Sequence, residues 1–100
     1  MNIKEMEKKL EEDGMLKVHV DGVIKKYVSG DYVYKNGAWK NQVDVFGIYS
    51  DEDGTYGFFI TDSERGIGKY GRDYETEEEA CEALIERMYL EEDIYQDKNN

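Results

Sequence analysis

His19 and Cys81 are the only histidine and the only cysteine in 100 residues. Such a pair can do nucleophilic chemistry if the imidazole takes the thiol proton. The spacing argues against it. Cys81 falls on an apolar stripe with Ala80, Leu84, Ile85 and Met88, which turns its thiol toward a core, where thiols are inert. His19 sits between Val18 and Val20, so strand alternation turns it toward solvent. One histidine and one cysteine also fall short of the about four ligands a structural zinc takes, and no metal or other cofactor is expected. "YSDEDGTY" (Tyr49 to Tyr56) carries the acids of a calcium loop. With Gly54 as the loop glycine, Tyr49 would stand at the first ligand position and Ile60 at the last, and neither is a ligand. "SERGIGKYG" (Ser63 to Gly71) has three glycines but not the spacing of a phosphate loop, and no helix opens directly behind it. With 24 acids, carboxylate pairs are too common to single one out. The lack of a nucleophile motif points to a protein that is not an enzyme.

The strongest feature is "ETEEEACEALIERMYLEEDIYQD", from Glu75 to Asp97. Thr76 and Glu79 form a T-x-x-E capping box at the start of a helix. Glu75, Glu77, Glu78 and Glu79 suit the positive end of the helix dipole. Glu82 and Glu86 lie beyond its reach. Together with Glu78 they are spaced i, i+4, i+8 on one face, and no cation stands four residues on. Each like-charge pair costs about 0.2–0.5 kcal/mol. Glu91, Glu92 and Asp93 are expected near the helix's negative end, with fraying after Glu92 and a loose tail over 93–100. A solvated face explains this charge adequately. A stripe that attracts a basic protein explains it equally well.

The rest of the chain must carry this helix. Ile3, Met6 and Leu10 predict a first helix over 2–13, with Gly14 as its stop. The period then changes to two, through Leu16–Val20, Val23–Val28, Tyr32–Tyr34, Ala38–Trp39, Val43–Tyr49 and Tyr56–Thr61. Asp21-Gly22, Asn36-Gly37 and Asp53-Gly54 fall between these runs as hairpin turns. A last short strand over Lys69–Tyr74 is weaker. The expected fold is a single α+β domain: an N-terminal helix, an antiparallel meander of five or six strands, and a C-terminal helix, with both helices on one face. Val43, Val45 and Tyr49 alternate with Phe46 and Ile48, so the open face carries apolar residues. They are either exposed or buried in a second small core.

The net charge is -11, and its distribution is uneven. Residues 1–72 hold 13 acids and 11 bases, while residues 73–100 hold 11 acids and two bases. Such a field repels nucleic acid and anionic membranes and favours basic partners. A single cysteine allows no internal disulfide. No run approaches the about 20 apolar residues of a membrane span, and "MNIKEMEKKLEEDG" lacks a signal core. A cytoplasmic protein is expected.

Trp39, Ser63-Glu64-Arg65-Gly66, Tyr74 and the Thr76–Leu84 helix start make the stretch 39–90 resemble small bacterial immunity proteins, the antidotes of polymorphic or contact-dependent toxins. The resemblance implies a non-catalytic protein that binds one toxin domain and blocks or distorts its active site. Many such toxins have basic substrate surfaces, in agreement with the charge. The candidate partner-binding residues are the stripe Glu78, Glu82 and Glu86, the acidic turn Asp51, Glu52 and Asp53, and Tyr49 and Tyr56 as aromatic anchors. Monomer or weak homodimer is expected. A phage-type acidic inhibitor that mimics DNA charge, or a small ligand-binding or enzymatic domain, are the alternatives.

Overall fold

The computed structural model describes residues 1–35, 38–64, 66 and 70–99. Asn2 opens the first helix, α1 (Ile3–Glu12). Its Oδ1 accepts the Glu5 N–H at 2.8 Å, and the Glu5 carboxylate accepts the Asn2 N–H at 2.9 Å. This reciprocal cap satisfies two orphan donors. Met6 and Leu10 turn fully inward. Gly14, at φ 68°, stops the helix as its position suggests.

Strands β1 (Lys17–Val20) and β2 (Val23–Tyr27) form an antiparallel hairpin. Asp21 and Gly22, at φ 52° and 81°, give the tight turn that matches strand twist. The next expected hairpin turn, Asn36-Gly37, lies outside the described residues; the short strands that flank it, β3 (Tyr34–Lys35) and β4 (Ala38–Trp39), pair antiparallel. β5 (Val45–Ser50), β6 (Tyr56–Ile60) and β7 (Tyr70–Tyr74) follow. Between β5 and β6 the loop spans residues 51–55 and is longer than a two-residue turn. The Asp51 N–H donates to the Thr55 carbonyl and the Gly54 N–H to the Asp51 carbonyl.

The sheet order is β1-β2-β5-β6-β7. Every pair is antiparallel except β2 and β5, which run parallel with Lys26 beside Val45 and Tyr27 beside Phe46. The expected meander is therefore interrupted once. Parallel neighbours need a crossover. Here residues 28–44 supply it, with a 3₁₀ turn (Gly30–Tyr32) and the β3–β4 ribbon.

That crossover decides the fate of the open face. Val33, Val45, Tyr49 and Phe59 are buried beneath Val28, Tyr34 and Trp39. The Trp39 ring meets Tyr34, Tyr49 and Phe59 at 4.7, 5.1 and 6.2 Å between centroids. Of the alternating apolar residues, Val45 and Tyr49 thus fill a second small core, whereas Val43 lies before β5 and is exposed. On the opposite face Val18, Val20, Phe46, Ile48, Phe58 and Ile60 meet both helices. The second helix, α2 (Glu77–Asn99), supplies Ala80, Cys81, Leu84 and Met88. At 1.5 Å per residue it is about 35 Å long, twice a five-residue strand. It therefore crosses the face from β7 to the β1 edge.

The 3₁₀ turn lies directly on β5. A Cβ on Gly30 would run into the Ile48 carbonyl oxygen and sit 2.9 Å from its carbon. Backbone cannot yield as a side-chain tip can. Gly30→Ala is expected to cost about 1–3 kcal/mol, the usual range for overpacking. Urea unfolding is the measurement, and a wild-type midpoint would mean the turn does not press on the strand.

Candidate partner-binding surface

Glu78, Glu82 and Glu86 all stand exposed on α2, away from the core. Their neighbours are already occupied. Glu77 turns inward and accepts the Ile3 N–H at 2.6 Å, tying the starts of the two helices together. Thr76 Oγ1 accepts the Glu79 N–H and donates back to its carboxylate, both at 3.2 Å. Among the described residues, Glu82 has one ion pair, with the N-terminal ammonium at 4.0 Å, while Glu78 and Glu86 have none. The stripe is as bare as its spacing suggests.

The acidic turn is more constrained. Asp51 Oδ1 accepts the Tyr34 hydroxyl at 2.9 Å and the Glu52 N–H at 2.8 Å. Asp53 Oδ1 accepts the N–H and the hydroxyl of Thr55 at 3.0 and 2.6 Å. Two of the three acids thus shape the loop, and Glu52 projects freely. The register sets Tyr56 opposite Tyr74, so loop 51–55 and the start of α2 share one end of the sheet.

The two aromatic anchors fare differently. Tyr49 is only 2% exposed and belongs to the second core. Its strand position turns it toward the Trp39 lid, so it is not available to a partner. Tyr56 is half-buried against the first core and lines a hollow of about 220 Å³ with Ile3, Tyr27 and Gly30.

The expected clash of Glu91, Glu92 and Asp93 with the helix dipole does not arise, because α2 continues to Asn99. Glu91 accepts from Arg87 Nε at 3.0 Å. Glu92 reaches the edge strand: its Oε1 accepts the His19 N–H at 2.9 Å and lies 3.0 Å from His19 Nδ1. The Tyr95 ring stacks on His19 at 3.6 Å, within 2° of parallel. These contacts hold the last turns of α2 and occupy the outward His19 N–H of the edge strand β1, which would otherwise be open to pairing. His19 is therefore half-buried rather than solvent-facing. Tyr95 continues the Leu84–Met88 stripe at helical spacing, and that was the available signal.

Burial pushes the Glu92 carboxyl upward, but the His19 N–H, the Gln96 amide and the His19 ring outweigh it, and the net shift is downward. A carboxyl depressed in the folded state adds stability above its unfolded value near 4.5 and loses it as pH falls through the folded value. Glu92→Gln should therefore cost about 1–2 kcal/mol at pH 7. The gap to wild type should narrow below pH 4.5. A gap constant from pH 7 to pH 3 would show that the ionised form contributes nothing.

Sequence reasoning also missed Lys25. It is 6% exposed, and its Nζ donates to Asp44 Oδ1 and to the Thr61 carbonyl, each at 2.7 Å. Ser63 donates to the same Asp44 oxygen at 2.6 Å. Lys25 and Ser63 hold the Asp44 carboxyl below its usual range. This junction straps β2 to the ends of β5 and β6. Alternation with Val23 and Tyr27 places Lys25 on the core face, a signal legible in the sequence.

Cys81 is fully buried, and burial, then Glu77, pushes its thiol up to about 12. His19 is engaged by Glu92 and Tyr95 instead, so the two do not form a nucleophilic pair. Among the described residues no group of three or more His, Cys, Asp or Glu is arranged to hold a metal ion, and no helix is long and apolar enough to cross a membrane. No family model, no curated protein and no solved structure matches the chain.

Proposed function

We propose that this chain is a non-catalytic, cytoplasmic immunity protein that binds and neutralises a bacterial toxin domain with a basic active-site surface. The observation that carries the reading is the bare row Glu78, Glu82 and Glu86, which begins at the sheet end where Glu52 projects. The fold does not require these carboxylates. Glu77 and Glu79 serve the helix ends and Glu91 and Glu92 serve packing, whereas the row is exposed and, among the described residues, has only the 4.0 Å ion pair of Glu82 with the N-terminal ammonium. A one-sided acidic field speeds encounter with a cationic surface, and an antidote must capture its toxin quickly.

The test uses the neighbouring gene. The C-terminal domain of a large secreted protein encoded directly upstream is expressed with and without this chain, and growth is followed. Arrest alone and growth with the chain present are the expected results. Arrest that the chain does not relieve, or the absence of any such toxic neighbour, would overturn the reading.

A further inference from the structure

The acidic row does not end at Glu86. The same i+4 spacing runs on to Leu90 and Ile94, which are 55% and 41% exposed. A row at this spacing turns by about 40° per step around the helix, so it winds from the outer face toward the β1–β2 turn. There it meets two adjoining hollows that share Asp21. One, of about 570 Å³, has Ile94, Tyr95 and Lys98 on its wall. The other, of about 270 Å³, has Val23 and Arg87. Val23 is itself 38% exposed. Single exposed aliphatics on a surface are ordinary, but here Ile94 lines the first hollow, Val23 the second, and Leu90, which lines neither, stands on the rim one helical turn before Ile94. Apolar residues gathered around a concave surface are the pattern of an interaction site.

The charges around this groove restrict what fits. Glu86 stands one turn before Leu90, Asp93 three residues after it, and Asp97 three residues after Ile94, so acids border the apolar pair on its outer side. Arg87 is committed to Glu91, and Lys98 shares the wall of the first hollow with Ile94, together with the acids Asp21 and Glu91. A second copy of the chain docking face to face would set these acids against themselves, because a two-fold interface opposes like patches. An anionic lipid surface meets the same repulsion.

We infer that the groove between the C-terminal half of α2 and the β1–β2 turn docks a partner protein segment whose apolar side chains are flanked by Lys or Arg. In this arrangement the acids speed encounter, and Leu90 and Ile94 supply the desolvated contact that retains the partner. The identity of that partner as a toxin rests on the function proposed above, while the chemistry of the groove is tested separately.

The probe is a synthetic 18-residue peptide of leucine and lysine with its leucines on one helical face, beside a shuffled peptide of identical composition. Binding to the full chain is read by fluorescence anisotropy at 0.15 M salt. The amphipathic peptide is expected to bind the wild type. Leu90→Ser with Ile94→Ser should weaken it at least tenfold, Leu90→Lys alone should do likewise, and the shuffled peptide should bind at least tenfold more weakly. Glu78→Lys with Glu82→Lys, two or more turns away, should change affinity less than threefold. Both aliphatics are exposed, so the variants should keep the wild-type Tm. No binding, equal binding of the shuffled peptide, unchanged affinity in the Leu90 and Ile94 variants, or self-association that excludes the peptide would each overturn the inference. Relief of toxin arrest with a negative peptide result would sink the groove and leave the immunity reading standing; peptide binding without relief would do the reverse.

Discussion

Phe59→Ala lowers stability by about 3–5 kcal/mol, the usual cost of removing a buried aromatic ring. Phe59 is fully buried. Its ring lies 6.2 Å from Trp39, nearly perpendicular to it, and a Cβ built on Gly47 would come within 2.8 Å of its Cζ. The side chain thus fills the space between β5 and the crossover lid. The lid is held by few elements: a 3₁₀ turn, two two-residue strands and the ring cluster. Neighbouring backbone has little means to close the gap, so the cost should fall near the top of the range. Total stability of small domains is about 5–15 kcal/mol, and a loss of this size takes much of it. Urea unfolding followed by the fluorescence of Trp39, the only tryptophan, reports the lid directly. Tyr32, which is 66% exposed, is the internal control, and its alanine variant should stay within about 0.5 kcal/mol of wild type. A loss below 1 kcal/mol at Phe59 would mean that the ring is not packed under the lid.

Reversing Glu78, Glu82 and Glu86 to Lys has the largest expected functional effect. The change removes three negative charges from one helix face and adds three positive ones. The association rate with the toxin domain should fall at least about tenfold at low salt. The difference should close above about 0.5 M salt, where screening acts within a few ångströms. Stability should fall only slightly, because the two like-charge i, i+4 pairs persist with opposite sign, Glu78→Lys gives up a favourable place in the first turn of α2, and the exposed contact of Glu82 with the N-terminus contributes little. Stopped-flow mixing gives the rate, and thermal unfolding confirms the fold. An unchanged rate with an unchanged Tm would place the partner elsewhere on the molecule.

Local chemistry determined much of this protein. Periodicity and Gly14 placed α1, the Thr76–Glu79 pair placed the start of α2, and Asp21-Gly22 placed a tight hairpin, because each signal acts within a few residues. The bare acidic row was legible for the same reason: helical spacing alone assigns a face. The tertiary structure decided what covers each face. Alternation turned Tyr49 to the side opposite Ile48, but only the crossover that brings Trp39 over it buried it. The parallel pairing of β2 with β5 depends on where residues 28–44 travel, which no turn motif encodes. The last turns of α2 are helical because Glu92 and Tyr95 find His19, 73 or more residues away in the chain. Short-range rules fix which way a side chain points; contacts between distant segments fix whether it meets protein or water, because only they bring a second surface to it.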